Sequence, residues 1–146
     1  MTLFLGCLLA HLALVSIVAS PWLTPNLTLI GMVLTVSRLP QRWSLCAVTA
    51  GLVAMAWSVR VPALAFFSYL AAGAICRAAS AQWDLHDRRV QSVVTGLAGA
   101  LLLVTALWLE GIWSVGLLAA GMVQVAVTVL ALHVVRRLPQ PARGAP

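Results

Sequence analysis

Three side chains that could do chemistry lie midway along apolar stretches: His11, Tyr69 and Gln124. An ionisable residue in such a position suggests a functional site, and a buried histidine could be a proton relay or a haem ligand. Haem ligation by two histidines needs a partner at similar depth, whereas His86 lies in a polar stretch and His133 lies near the end of the last apolar stretch. We therefore favour a neutral imidazole of His11 that hydrogen-bonds to a neighbouring helix.

The amide of Gln124 and the phenol of Tyr69 need polar partners in an apolar environment, so both side chains should face protein. Several hydroxyl residues in the apolar stretches could be those partners: Thr35, Thr49, Ser68, Thr95, Thr105 and Thr128. Such a polar cluster either joins helices or forms a substrate site. We expect the first, because hydroxyl and amide groups commonly form bonds between membrane helices.

The acidic residues offer little further chemistry. Asp84, Asp87 and Glu110 lie outside the apolar stretches, which argues against ion coupling through a buried carboxylate. Asp84, His86 and Asp87 could be imagined as metal ligands, but their spacing is nonspecific and the adjacent arginines are natural counter-ions. The sequence has no glycine-rich phosphate loop, nucleophile elbow or His-Glu-x-x-His motif. We therefore predict a protein that is not an enzyme, with no catalytic residue, no cofactor and no metal.

The composition indicates the elements that hold these residues. The chain of 146 residues is 62% hydrophobic and 8% charged, with a mean hydropathy of +1.03, whereas about a quarter of a soluble domain is charged. Lipid is therefore the expected solvent. The net charge of +6 does not indicate nucleic-acid binding, because the nine arginines are divided among the gaps between apolar stretches.

Six apolar segments predict an all-α membrane protein, a compact bundle of six transmembrane helices in one domain of residues 1–138. The segments are 3–20, 27–37, 43–59, 61–76, 90–109 and 112–135, and residues 139–146 should form a short, flexible cytoplasmic tail. Segment 27–37 lies between Pro25 and Pro40 and is shorter than the roughly 20 residues of a full crossing. It is either a short crossing under a locally thin bilayer or a re-entrant helix.

The arginines predict the orientation, because basic residues in short loops stay on the cytoplasmic side. Eight of the nine fall in alternate gaps, with Arg60 as the exception: Arg38, Arg42, Arg77, Arg88, Arg89, Arg136, Arg137 and Arg143. This pattern predicts an even number of crossings with both termini in the cytoplasm. It also favours a crossing by segment 27–37, since re-entry would place Arg38 and Arg42 outside. The first segment follows no basic residues, so we interpret it as a retained span and not as a signal peptide.

Small residues four positions apart let membrane helices approach closely. The candidate packing pairs are Gly6 and Ala10, Ala47 and Gly51, Gly96 and Ala100, and Gly116 and Ala120. They favour a compact bundle without identifying the face that meets a partner. Cys7, Cys46 and Cys76 lie in or at the ends of apolar segments and form no C-x-x-C motif, so we expect buried small hydrophobic residues and no disulfide framework.

The segments follow a recognisable order, most specific between residues 25 and 77. It comprises Pro25-Asn26-Leu27-Thr28-Leu29-Ile30 before a short second helix, a basic turn from Ser37 to Arg42, Gly51-Leu52, Val61-Pro62-Ala63-Leu64, and Tyr69-Leu70-Ala71-Ala72-Gly73. This order resembles the MreD family, the small integral membrane subunits of the rod-shape and lateral cell-wall synthesis machinery. In hydropathy and length the resemblance covers nearly the whole chain.

The resemblance implies a multi-pass protein of the bacterial cytoplasmic membrane. Its partners would be membrane lipid, an MreC-like bitopic protein and wall-synthesis enzymes, and it would bind them as a non-enzymatic scaffold. The resemblance also implies a six-helix fold similar to the substrate-binding subunits of energy-coupling-factor vitamin transporters. A small-molecule capture subunit with a polar cavity near Tyr69 and Gln124 is therefore the alternative, and an accessory subunit of another membrane complex is a third. The scarcity of polar groups within the spans favours a scaffold or an accessory subunit.

Overall fold

A computed structural model describes residues 1–18, 24–58, 61–111 and 114–137 of the chain. Six helices make up most of these residues: α1 (Thr2–Ile17), α2 (Leu27–Arg38), α3 (Trp43–Trp57), α4 (Pro62–Gln82), α5 (Arg88–Glu110) and α6 (Val115–Arg137), with a 3-10 turn at Pro40–Arg42. No strand occurs in these ranges, and the prediction of an all-α protein is confirmed. The predicted tail, 139–146, lies outside the described residues.

Among the described helices, α4, α5 and α6 are long and apolar enough to cross a membrane. Helix α4 extends beyond the predicted segment 61–76 to Gln82, because residues 77–82 include three alanines, an arginine and a glutamine, all of high helix propensity. Helix α5 ends at Gly111, whose φ of 65° is the left-handed conformation of a glycine C-cap. The three long apolar helices agree with a membrane protein.

Helix α2 is the centre of the bundle. Its residues from Thr28 to Ser37 are all buried, and it contacts every other helix. The other five helices surround it in the order α1, α3, α4, α5, α6. Helices α3 to α6 pack in sequence, while α1 meets α3 around a small cavity and meets α6 where Leu3 joins the cluster around Leu132.

Helices approach one another closely at three glycines. A Cβ added to Gly31 would lie 2.7 Å from Cβ of Cys7, so α1 and α2 meet without room for a side chain. A Cβ added to Gly73 would lie 2.6 Å from Cβ of Ala47, and one added to Gly51 would lie 2.8 Å from a phenylalanine ring of α4. Helices α3 and α4 are therefore close at two levels. In lipid such van der Waals packing is a main source of attraction between helices.

The candidate small-residue pairs lie in two kinds of position. Ala47 and Gly51 are buried between α3 and α4. A Cβ added to Gly6, Gly96 or Gly116 would meet nothing within 4 Å. Their partners four residues later are exposed or half-buried: Ala10, Ala100 and Ala120. The glycines of these three pairs therefore do not lie at a close contact between the described helices.

Large apolar side chains are exposed on the outer surface, and several polar side chains are buried in the interior. Every helix except α2 exposes large apolar side chains, for example Leu9, Leu52, Phe67, Leu97 and Leu130. Fully or nearly fully buried polar side chains include Thr28, Thr35, Gln91, Thr95 and Thr128. The three cysteines are buried and free, as expected. This distribution fits a lipid environment, in which polar side chains favour the protein interior.

The substitution Gly73→Ala should destabilise the bundle by about 1–3 kcal/mol, because the new methyl group overlaps Cβ of Ala47 and packed interiors resist added volume. Adding Ala47→Gly should restore most of the loss. The control Gly6→Ala adds a methyl group to open space and should be neutral or slightly stabilising, since alanine exceeds glycine in helix stability by roughly 0.5–1 kcal/mol. Thermal unfolding in mild detergent measures these effects, and equal behaviour of the two single variants would contradict the close contact.

Candidate functional site

A hydrogen-bonded polar cluster surrounds the N-terminus of α2. The backbone N–H of Asn26 donates to Oγ1 of Thr128 on α6 (3.0 Å), and Nδ2 of Asn26 donates to the phenol oxygen of Tyr69 on α4 (3.1 Å). Thr128 donates to the carbonyl of Gln124 (2.8 Å), and the Gln124 amide donates to the carbonyl of Thr24 (3.3 Å). Side chains distant in sequence thus join the start of α2 to α4 and α6.

The cluster lies inside the bundle and not at its end. Thr128 is the fourteenth residue of α6, with nine residues of the helix following it, and Tyr69 is the eighth residue of α4. At a rise of 1.5 Å per residue, Thr128 lies about 20 Å and Tyr69 about 10 Å from the start of its helix. Thr24, which precedes α2, is only 2% exposed. The backbone that leads into α2 is therefore within the protein interior.

A cavity of about 350 Å³ adjoins the cluster. Asn26, Tyr69, Gln124 and Thr128 contribute polar groups to its wall, together with apolar residues of α2 to α6. Three further hydroxyl residues line it: Ser58, Ser68 and Thr105. The volume falls within the range of small-molecule sites, roughly 300–1,000 Å³. The phenol oxygen of Tyr69 accepts from Asn26, and no described residue accepts the phenol hydrogen, so a bound molecule could do so.

His11 lies at a smaller cavity of about 110 Å³, which shares Tyr69 and Ala54 with the larger one. The backbone of Pro25 lies beside the imidazole, yet the buried Nδ1 has no hydrogen-bond partner among the described residues. The three polar residues singled out from the sequence are thus brought together around two neighbouring cavities. Tyr69 belongs to the walls of both.

The six hydroxyl residues that the sequence offers as partners of Tyr69 and Gln124 form different hydrogen bonds. Thr128 bonds to Asn26 across helices. Three others donate only to carbonyls of their own helices: Thr49, Ser68 and Thr105. The buried hydroxyls of Thr35 and Thr95 have no hydrogen-bond partner within the described ranges. Only one of the six therefore joins the cluster around Tyr69 and Gln124.

The turn between α4 and α5 is separate from this cluster. The backbone N–H of His86 donates to Oδ1 of Asp84 (2.9 Å), and this bond lowers the pKa of the exposed Asp84 carboxyl. Asp87 caps α5 by accepting from the N–H of Arg89 (2.9 Å). Within the described residues, no three His, Cys, Asp or Glu side chains are grouped closely enough to hold a metal ion. The acids of this turn are engaged in local hydrogen bonds.

Sequence patterns do not single out Asn26 as a site residue. Asparagine just before an apolar segment is typical of a helix N-cap, and Asn26 does accept a hydrogen bond from the backbone N–H of Leu29 (3.0 Å). The meeting of its Nδ2 with Tyr69 has no signal in the sequence, because it depends on how α2 packs against α4.

No protein-family model, curated protein or solved structure matches this chain. The cluster is therefore interpreted from its own chemistry. Its groups can join helices by hydrogen bonds, and those that face the larger cavity can also bond to a small molecule.

The substitution Thr128→Val should lower the free energy of unfolding by about 1 kcal/mol, the size of a hydrogen bond between membrane helices. Valine keeps the shape but leaves the backbone N–H of Asn26 without its acceptor. The control Thr49→Val removes a hydroxyl that bonds only within α3 and should change stability less. Reversible unfolding in detergent or bicelles measures both values, and an equal or larger loss for Thr49→Val would contradict a structural role of the interhelical bond.

Proposed function

We propose that this chain is a six-span protein of the bacterial cytoplasmic membrane that acts as a non-enzymatic scaffold in a cell-shape and peptidoglycan-synthesis assembly. The observation that best supports it is the apolar outer surface of the helices, on which Gly6, Gly96 and Gly116 leave open space. Small residues of this kind let a partner helix approach closely. The MreD-like order of segments suggests the partner, an MreC-like bitopic protein together with wall-synthesis enzymes.

The connections between helices further support binding within the bilayer. The 3-10 turn at 40–42 directly joins α2 to α3, and five residues separate α4 from α5. Segments of this size offer little surface for a soluble partner. These two connections therefore favour a partner that meets the helices in the lipid.

The arginines support the proposed topology. Arg136 near the end of α6 donates to the carbonyl of His86 in the turn between α4 and α5 (2.7 Å). Two of the arginine-rich parts of the chain thus meet at one end of the bundle. A common cytoplasmic location for them agrees with the positive-inside rule.

The three substitutions Gly6→Leu, Gly96→Leu and Gly116→Leu test the scaffold directly. Each adds a large side chain where a Cβ meets nothing within 4 Å, so the bundle should remain folded. At least one should reduce co-purification of the MreC-like protein on the order of tenfold, a change equivalent to ~1.4 kcal/mol. The control Ala56→Leu alters an exposed position outside the candidate pairs and should have no effect.

Two results would contradict the scaffold. The first is a gently extracted wild-type protein that brings down neither an MreC-like protein nor wall-synthesis enzymes. The second is recovery of the protein alone with a bound vitamin-sized molecule.

A second candidate function is capture of a small molecule for a membrane transporter, and the cavity of about 350 Å³ is the observation that favours it. Tyr69 and Gln124 line this cavity together with apolar residues of α2 to α6. Few oriented polar groups in a largely apolar pocket are typical of small-molecule sites.

The substitution Ala54→Leu should abolish retention of such a molecule, because residue 54 lines both cavities and leucine would occupy part of their volume. The control Ala56→Leu adds the same side chain to an exposed position on α3 that lines neither cavity. Mass spectrometry of ligands released from the gently purified protein gives the measurement. Equal recovery of a ligand from both variants, or none from the wild type, would exclude capture in this cavity.

A further inference from the structure

A basic cavity of about 210 Å³ lies where α6 ends and α5 begins, and it is lined by Arg88, His133, Arg136 and Arg137. Arg88 is the first residue of α5, and the other three belong to the last turns of α6. The cavity shares no residue with the two cavities around Tyr69.

One guanidinium group of this cavity is held in place. Nη1 of Arg136 donates to Oε1 of Gln91 (3.0 Å), and Nη2 donates to the carbonyl of His86 (2.7 Å). Gln91 is itself only 3% exposed. The position of this positive charge is therefore fixed by the fold.

The histidine is also oriented. The hydroxyl of Ser92 donates to the carbonyl of Arg88 (2.8 Å). The same hydroxyl oxygen lies within hydrogen-bond distance of Nε2 of His133 (3.2 Å). The wall between α5 and α6 is thus organised by hydrogen bonds.

The positive charges of the cavity have no anionic partner in the described part of the chain. Within the described residues, the contact between a carboxylate and a basic side chain joins Asp84 to the ring of His86 (3.2 Å) and involves no arginine. Arg88 also lies at the N-terminus of α5, where the helix dipole disfavours a cation. Positive-inside bias accounts for arginines in loops, but it does not account for three guanidinium groups around one concave space.

We propose that this cavity binds the phosphate group of an anionic phospholipid. Guanidinium groups match the geometry of phosphate oxygens, and basic pockets between membrane helices on the cytoplasmic side bind acidic head groups. Val93 lies five residues after Arg88 on α5, and Leu130 lies three residues before His133 on α6, both toward the middle of their helices. Their side chains are 59% and 66% exposed and would meet acyl chains. This apolar continuation favours a lipid over free phosphate. This inference rests on the proposed location of the protein in a bilayer and does not rest on its proposed role as a scaffold.

The test compares two double variants of the full-length protein that lose the same charge. Arg88→Gln with Arg137→Gln removes two exposed side chains of the cavity that form no hydrogen bond with described residues, so folding should be unaffected. Arg38→Gln with Arg89→Gln removes two exposed arginines outside the cavity. Each protein is placed in phosphatidylcholine nanodiscs with or without a minor share of phosphatidylglycerol, and retained lipid is counted by native mass spectrometry. A third sample contains phosphatidylglycerol and added inorganic phosphate.

We expect the wild type and the control to retain phosphatidylglycerol. The cavity variant should retain it roughly 10- to 30-fold more weakly, because it lacks two of the three guanidinium groups that would contact the phosphate. Equal weakening in both double variants would show attraction by net charge alone and would overturn the site. Displacement of phosphatidylglycerol by inorganic phosphate would overturn the lipid as the source of the phosphate group. Neither result would bear on co-purification of a protein partner, so the two proposals fail independently.

Discussion

The backbone at the start of α2 lies inside the protein, and the rest of the bundle must satisfy its hydrogen bonds without water. The first turn of any helix leaves N–H groups without partners in the helix, and in lipid each such group is costly. Asn26 accepts from Leu29 through its side chain and from Ile30 through its carbonyl (3.2 Å). Its own N–H requires Thr128 from α6. The position of α2 therefore determines where α4 and α6 must lie and which polar residues they must present.

In a lipid environment, the stability of the bundle depends more on van der Waals contact between helices than on the removal of apolar surface from water. Lipid tails are as apolar as the helix surfaces, so burial of leucine or valine gives little advantage in itself. Close approach at Gly31 and Gly73 increases dispersion contact between backbones. Each hydrogen bond such as those of Asn26 contributes a modest free energy, but water does not compete for it in the protein interior. Shape complementarity at a few glycines and one polar cluster together specify the arrangement.

Sequence patterns predict the elements of this fold better than their contacts. Hydrophobic segments bounded by Pro25 and Pro40 correspond closely to the described helices α2 and α3, and α4 begins at Pro62 as its segment predicts, because apolar length and proline act locally. The end of α4 at Gln82 lies six residues beyond its apolar segment. The pairing of Gly73 with Ala47 and of Asn26 with Tyr69 depends on which helix faces meet. Small residues occur on many faces of this alanine-rich chain, so their spacing does not distinguish packed faces from open ones.

The lengths of the helices around α2 have a consequence for the membrane itself. Neighbouring α1 and α3 have 16 and 15 residues, or about 24 and 22 Å, whereas α5 and α6 have 23 residues each, or about 34 Å. Lipid adjusts its thickness to the apolar length of the helix that it touches. The apolar parts of α5 and α6 are shorter than the full helices, because two arginines lie at one end of each. A bilayer around the bundle would still be thinner beside α1 and α3 than beside α5 and α6. A second membrane protein with a matching difference in thickness would relieve this elastic deformation by adjoining it, and the resulting attraction would depend on orientation and not on a specific contact.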